Sequence, residues 1–588
     1  MMKKNTLIEL KIEDMNNLGN GVAHSDGFAV FVPGGVTGDT VIGKIIKVTK
    51  SYAVARIEEI LSPSPYRTTE RNCRYHKRCG GCIYRNISRD YELEIKRNTV
   101  ISSLRRAGIS NISVEETVTD TKYDRYRNKA QYPLSKDKDG NINIGFFSQK
   151  SHDVIDIDDC LQLPEIFTRI SLLFRDYVNN NSISVYDENS GTGLVRHLYL
   201  RTSQTESISM CVVINGNKLP DEDGFVKHFT EAVPEISGIS VNTNTRNTNV
   251  ILGDSYRTLW GAEYLEDTMC GLNLRLSPAS FYQVNRNVAE KLYSIAADKA
   301  GLSGEETLLD LFCGAGTIGL SMAHRVKRLF GVDIVPDAIE NARYNAGKNG
   351  ITNAQFTVAD AADGEGLFSA AKRALGDDFY ASVIILDPPR KGCTRELLTA
   401  VAQHAPERIV YISCNPDTLA RDIVILRELG YDTSSVTPVD MFPGTGHVET
   451  VALLSRKIDV HKMRLNSAPF QMIKSGVKTI ELRLFDEKRQ QIKTGDKIVF
   501  TNNANGETLN TTVVKLHRFD SFKELYKSLP LLKCGYTTEN VDGAKPSDME
   551  QYYSVEEQKK HGVVGIELCR PNQITDESVC LLSKVSVR

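Results

Sequence analysis

Apolar and polar positions alternate with a period of two along residues 7–60. This predicts strands over 7–13, 28–32, 40–48 and 52–60, with Gly19, Gly21, Gly27, Gly34 and Gly35 between them. Short strands joined by close turns predict a small barrel. Pro63 and Pro65 close that unit. Residues 120–290 carry further strand patterns, 194–200 and 208–214 among them, without chemistry that periodicity reveals. From about residue 287 the texture changes: apolar runs at 307–311, 329–332, 354–358, 383–386 and 409–412 are separated by helical stretches such as 336–348 and 416–428. This β, α alternation predicts a doubly wound parallel sheet. After Arg456 a further section of about 130 residues has its own strands (497–501, 508–516) and a helix at 521–527. The fold class expected is multidomain α/β, in four parts: 1–62, 63–286, 287–456 and 461–588.

Charge alters this picture in one place. The 588 residues carry 72 Lys and Arg against 74 Asp and Glu, a net charge of −2, which argues against a histone-like polycation. Residues 66–108 nevertheless hold eleven Lys and Arg against four acids, a basic stretch that the total conceals. No apolar run reaches the roughly 18–20 residues that span a bilayer. Lys3 and Lys4 are followed by Glu9, Glu13 and Asp14, where a signal peptide needs an apolar stretch. A cytoplasmic protein without membrane attachment is expected, and no obligate protein partner is inferred. In a reducing compartment its twelve cysteines should be thiols, metal ligands or nucleophiles.

The α/β part contains the candidate chemistry. Asp310-Leu-Phe-Cys-Gly-Ala-Gly316 follows an apolar strand and precedes a helix, so its glycines stand where a cofactor approaches backbone closely. The next strand ends at Asp333, placed to accept hydrogen bonds from ribose hydroxyls. A third ends at Asp360, and a fourth reads Leu386-Asp387-Pro-Pro-Arg-Lys-Gly392. Each acid alone reads equally as a helix cap or surface carboxylate. Together they fall at successive strand C-termini, where open α/β sheets bind ligands. The glycine spacing departs from the dinucleotide pattern and is similar to the first motif of S-adenosylmethionine (SAM) dependent methyltransferases.

Tyr411-Ile-Ser-Cys-Asn-Pro416 sets Cys414 at the same sheet edge. A lone cysteine is usually a packing residue, but polar neighbours and a helix-opening proline favour an exposed, activated thiol. Methylating carbon 5 of uracil needs such a group. Thiolate addition at carbon 6 pushes electron density onto carbon 5, and a general base must later remove the carbon 5 proton. Glu449, in the loop entering a last strand at 451–454, is the candidate base, with His447 as runner-up or orienting partner.

Phe281-Tyr-Gln-Val-Asn285, Asp310–Gly316, Asp387-Pro-Pro-Arg-Lys-Gly392, Ser413-Cys-Asn-Pro416 and His447-Val-Glu449 occur in an order that resembles the RNA (uracil-5-)-methyltransferases, over about residues 1–456. The resemblance implies a Rossmann-like SAM sheet, with Cys414 as nucleophile and Glu449 as proton acceptor. It implies cofactor contacts at Gln283, Phe312, Asp333 and Asp387, and also at Thr317 and Asp360, where some members carry Asn. Arg390 would position the target base or a phosphate.

Cys73-x5-Cys79-Gly-Gly-Cys82, with Cys160 much later, supplies four thiolates that suit either structural zinc or a [4Fe–4S] cluster. The resemblance implies the cluster, in an α+β central domain with His76 as a bystander. Residues 1–62 resemble a TRAM domain, an oligonucleotide-binding-like barrel whose family role is RNA binding. Tyr123, Arg125, Tyr126, Arg127 and Lys129 interleave aromatics with cations, as stacking on unpaired bases needs, or form a solvated charged loop. Ser475-Gly-Val-Lys478-Thr-Ile-Glu481-Leu-Arg483 resembles an ASCH domain, a PUA-like β-barrel, which implies RNA association. Its charged residues read equally as a structural network. The function expected is SAM-dependent 5-methyluridine synthesis in structured RNA, first 23S rRNA, with tRNA as an alternative substrate. A non-catalytic RNA-binding or assembly factor is the rival from another class.

Overall fold

The chain separates into two compact units, residues 1–455 and 456–588. The computed structural model describes residues 3–569 except 26, 150, 362, 377 and 378, so the end of the section expected over 461–588 lies outside the described residues.

The first unit opens with a six-stranded sheet, in spatial order Leu7–Lys11, Thr40–Val48, Tyr52–Ser62, Phe28–Pro33, Asn20–Ser25 and Asp14–Met15. Its core is small and aliphatic, built from residues such as Leu10, Val30, Val41 and Ile45. Glycines at 19, 21 and 27 mask the Asn20–Ser25 strand in the sequence, yet it pairs along its length with Phe28–Pro33. A seven-stranded sheet follows, running from Val154–Asp156 at one edge to Ser255–Gly261 at the other. The helices Glu165–Asn180 and Glu222–Ala232 share its core through Phe167, Phe174, Phe225 and Phe229. Burying side chains of this size contributes about 1.5–3 kcal/mol each.

The largest sheet has nine strands. Its order is Ala354–Val358, Arg328–Asp333, Thr307–Leu311, Val383–Leu386, Arg408–Ser413, Glu449–Arg456, Ser435–Val439 and Ser113–Val114, with Tyr431–Asp432 beside Glu449–Arg456. The first five are mutually parallel. Glu449–Arg456 runs antiparallel to both neighbours. All of Val383–Leu386 is buried, which explains its unbroken apolar run: helices cover both faces of a parallel strand. The sequence order reverses between Thr307–Leu311 and Val383–Leu386, the switch point where such sheets open a crevice at their C-terminal edge. Helix Arg89–Arg106 also packs into this core through Val100 and Leu104, and Ser113–Val114 extends the sheet edge, although both lie within the 63–286 stretch.

The structure divides the basic stretch 66–108 between exposed cations and internal ones. Arg71, Arg85 and Lys96 are buried, and Arg67 pairs bidentately with buried Asp39 at 2.6 and 2.8 Å. Partners for the others come from distant sequence: Asp124 for Arg85, and Asp440 for both Arg89 and Lys96. Arg74, Lys77, Arg78, Arg105 and Arg106 are exposed, with Arg74 ion-paired to Asp158 and Arg106 to Asp417. The Tyr123–Lys129 stretch likewise faces inward. Tyr126 is buried, Arg125 pairs with Asp159, and the guanidinium groups of Arg71 and Arg89 lie over the Tyr123 ring.

The second unit is a five-stranded sheet, ordered Val460–Leu465, Lys497–Asn502, Thr508–Phe519, Val563–Leu568 and Ile480–Leu484. Among the described residues no helix is long and apolar enough to cross a membrane.

Candidate active site

Four parallel strands deliver their C-termini to one edge of the nine-stranded sheet, and the chemistry-bearing residues sit there. Phe312 follows Thr307–Leu311, Asp333 ends Arg328–Asp333, Asp387 follows Val383–Leu386 and Cys414 follows Arg408–Ser413. The antiparallel strand Glu449–Arg456 starts where these end, so its first residue, Glu449, reaches the same edge. Ser413 pairs with Thr450. Continuing that antiparallel register by one residue sets Cys414 against Glu449.

These residues line a cavity of about 580 Å³. Of the eight expected catalytic and cofactor-binding residues, Gln283, Phe312, Asp333, Asp360, Asp387, Cys414 and Glu449 all face it. Thr317 does not line it; this residue is buried as the first of helix Thr317–Met322. Phe281, Ile334, Pro388 and Leu397 add apolar walls. Phe281 and Ile334 are 69% and 60% exposed, so they form a rim rather than a floor. An exposed phenylalanine in the Phe281–Asn285 motif could have marked that rim; nothing in the sequence sets Ile334 apart.

Local hydrogen bonds shape the cavity. The Gly314 N–H donates to Asp333 Oδ2 at 3.0 Å and the Val335 N–H to Oδ1 at 2.9 Å, which fixes the carboxylate beside the glycine turn. Phe312 holds a φ of 67°, a region that a bulky residue rarely occupies and that clusters at ligand sites. The Gly319 N–H donates to Asp310 at 2.9 Å, tying the following helix to the strand. Asn415 caps helix Pro416–Glu428 by accepting from the Asp417 N–H at 3.1 Å, and its amide donates to the Arg390 carbonyl at 3.2 Å. The Asp387-Pro-Pro-Arg loop and the cysteine turn are thereby joined.

The electrostatics are those of a carboxylate-rich, poorly solvated site. Burial pushes Asp387 up to about 7 and Glu449 up to about 8; Asp387 adds to the Glu449 shift and Arg390 opposes it. Cys414 is half-buried, and burial, Glu449 and Asp387 push its thiol up to about 11. The free site therefore does not supply the activated thiol that the strand-end position suggested. A polar sequence context does not reveal two buried carboxylates beside the sulfur. His447 lies within 3.4 Å of Arg390, and burial together with Arg390 pushes its imidazole down.

Cys73, Cys79, Cys82 and Cys160 line a second cavity, of about 370 Å³, together with Arg85, Arg127 and Lys129. His76 also faces it. The Gln162 amide donates to Cys82 Sγ at 2.9 Å. Among the described residues no three His, Cys, Asp or Glu converge closely enough to hold one metal ion. Thr445 and His447 border the same cavity, so the 445–449 segment reaches from the cysteine region to the active site. In the second unit Lys478 and Arg483 flank buried Glu481 at 2.8 and 2.9 Å, beside a cavity of about 500 Å³ that Tyr526, Tyr536 and Tyr553 also line.

Comparison with known proteins agrees with this geometry. Residues 90–457 match the tRNA (Uracil-5-)-methyltransferase family and residues 463–572 the ASCH domain. An RNA methyltransferase of Clostridium acetobutylicum is 40% identical over 459 residues, covering 77% of this chain and 98% of that protein. One from Halalkalibacterium halodurans is 39% identical over 458 residues, covering 78% and 98%. The crystal structure of Pyrococcus abyssi tRNA (uracil-54, C5)-methyltransferase with S-adenosyl-L-homocysteine is similar over 76% of this chain and 99% of that one, with a TM-score of 0.61 and 28% identity. The chain belongs to the SAM-dependent RNA (uracil-5-)-methyltransferase family and carries an ASCH domain after the methyltransferase sheet.

Proposed function

We propose that this protein methylates carbon 5 of a uridine in structured RNA, with Cys414 as nucleophile and Glu449 as the base that ends the reaction. The carrying observation is that Cys414, Glu449 and Asp387 line one cavity with the residues expected to hold SAM. Gln283, Phe312, Asp333, Asp360 and Asp387 would hold that group, and when bound it supplies an electrophilic methyl. Cys414 sulfur forms a bond to carbon 6 of the uracil, and the ring electrons move to the carbon 4 oxygen, which makes carbon 5 nucleophilic. After methylation the carbon 5 proton passes to the Glu449 carboxylate. The released C–H pair forms the 5,6 double bond, and the carbon 6–sulfur bond breaks to return the thiolate. A site that starts with a neutral thiol and a largely neutral carboxyl must lose both protons first. Arg390 is the cation at hand, since it already favours the charged forms of Cys414 and Glu449.

The substrate proposed first is 23S rRNA, on the motif resemblance. The second reading, tRNA, is supported by the similar Pyrococcus abyssi enzyme, a tRNA (uracil-54, C5)-methyltransferase. Mapping 5-methyluridine in both RNAs from cells with and without this protein decides between them: loss confined to tRNA overturns the first reading.

We read the four-cysteine cavity as the seat of a [4Fe–4S] cluster rather than of the alternative, a single structural zinc ion, because the four thiols border one cavity without converging on one ion. Four thiols around one cavity, with Arg85, Arg127 and Lys129 as countercharges, support a cluster of net negative charge. The N-terminal sheet is read as a TRAM-like RNA-binding module and the ASCH domain as a further RNA contact.

A further inference from the structure

Glu449 itself pairs with Val439 in the nine-stranded sheet, but the segment that leads into it, 440–448, is held mainly by residues outside that sheet. Glu92, on helix Arg89–Arg106, has no exposed side-chain surface and accepts the Gly444 N–H at 2.5 Å. Arg71 lies 2.7 Å from its carboxylate, and Arg89 and Lys96 each 3.0 Å. Arg89 and Lys96 also bind the buried carboxylate of Asp440. Lys96 further donates to the Phe442 carbonyl at 3.0 Å. Burial alone would raise the Glu92 carboxyl, but Lys96, Arg89 and Arg71 hold it down at about 2, so it is ionised throughout the working pH range.

Two further contacts complete the grip. The Gly444 carbonyl accepts from the N–H groups of Ile83 and Tyr84 at 2.9 and 3.1 Å. Gly446 packs so tightly on the turn between strands Asp14–Met15 and Asn20–Ser25 that a Cβ added there would lie 2.1 Å from the Asn17 carbonyl oxygen. Between Gly444 and Glu449 lie only Thr445, Gly446, His447 and Val448. Cys414 shares the Ser413–Thr450 pairing with the strand that Glu449 opens, but it has supports of its own that the 440–448 segment lacks: the parallel strand Arg408–Ser413, the Asn415 cap and the Arg390 carbonyl.

We propose that Glu92 is a positioning residue for the proton-removal half of the reaction: by gripping Gly444 and ordering Arg89 and Lys96 against Asp440, it sets Glu449 against the carbon 5 proton without governing the addition of Cys414. This rests on the reading of Glu449 as the base. A misplacement of about 1 Å at a reacting group can cost about a hundredfold in rate. The penalty falls on the step that the displaced group performs.

The test uses the full chain, methyl-labelled SAM and total RNA from cells lacking the protein. Glu92→Gln keeps the shape and removes the charge; Gly446→Ala displaces the same segment without touching an ion pair. Both should lower turnover by about 10- to 100-fold and accumulate a denaturant-resistant, methyl-labelled RNA–protein adduct, while SAM affinity per folded protein stays within about twofold of wild type. Glu449→Gln, run in parallel, should trap the same adduct. If Glu449→Gln traps adduct and the other two do not, this proposal fails and the base assignment stands. If Glu449→Gln traps none, the base assignment fails and takes the proposal with it. Parallel loss of adduct formation, SAM binding and folded protein in Glu92→Gln, with wild-type turnover in Gly446→Ala, would make Glu92 a purely structural residue and overturn the proposal.

Discussion

Replacing Glu449 with glutamine should stabilise the protein, and by an amount that depends on pH. Burial, with Asp387 adding to it, lifts the Glu449 carboxyl from its ordinary 4.5 to about 8. The folded state therefore binds this proton more tightly than the unfolded state, so the stability linked to it is complete below about pH 4 and is lost as pH rises through about 8. At 1.36 kcal/mol per unit, the deficit is about 1 kcal/mol near pH 5, about 3 near pH 7 and about 5 above pH 9. Glutamine is neutral throughout and nearly isosteric, so Glu449→Gln should recover these amounts. Urea unfolding at about pH 5 and pH 7, followed by the fluorescence of Trp260, the single tryptophan, reads the difference in the unit that holds the site. A gain about 2 kcal/mol larger at the higher pH is expected. An equal gain at both pH values, or a loss at both, would refute the assignment of Glu449 as a buried and largely neutral carboxyl.

The same shift sets the rate profile. Because both Cys414 and Glu449 must lose their protons, kcat/KM should keep rising with pH through about 8, the free-site value for Glu449, toward about 11, that for Cys414; a flat profile from about pH 6 to pH 9 would contradict it. Asp333→Ala removes a carboxylate that fixes Gly314 and faces the cavity, so SAM affinity measured by calorimetry should fall by about 10- to 100-fold, at about 1.5–3 kcal/mol for a charge-assisted hydrogen bond. An unchanged affinity would remove Asp333 from the cofactor site. Cys160→Ser should abolish bound iron and acid-labile sulfide in anaerobically purified protein; stoichiometric zinc in the wild type would replace the cluster reading with the zinc one.

Much of the α/β part was legible because local pattern and tertiary role coincide there. A parallel strand buried on both faces must be an unbroken apolar run, so Val383–Leu386 falls where the sequence puts it. The strand termini then carry Asp333, Asp387 and Cys414 to one edge by topology alone. Charge in the basic stretch was not legible in this way. Lys96 and Asp440 are 344 residues apart, and nothing local reveals that a lysine on one helix neutralises an aspartate beside the catalytic loop. Composition marks residues 66–108 as basic but does not separate the internal struts Arg71, Arg85 and Lys96 from exposed cations such as Lys77, Arg78 and Arg105. The state of Cys414 was hidden for a related reason. Its thiol is tuned by Glu449 and Asp387, which the fold supplies from other strands. The seven-stranded sheet offered periodicity but no chemistry, and its helices were recognisable only once their aromatic residues met in one core.

The nucleoside produced, and its dependence on one sulfur, tests the central claim most directly. Purified protein is incubated with methyl-labelled SAM and total RNA from cells that lack it, and the RNA is digested to nucleosides and resolved by mass spectrometry. Label should appear in 5-methyluridine with the wild type and be absent with Cys414→Ala, while S-adenosylhomocysteine binding is retained by both. Label in a different nucleoside, or undiminished 5-methyluridine from Cys414→Ala, would contradict the proposed function and mechanism.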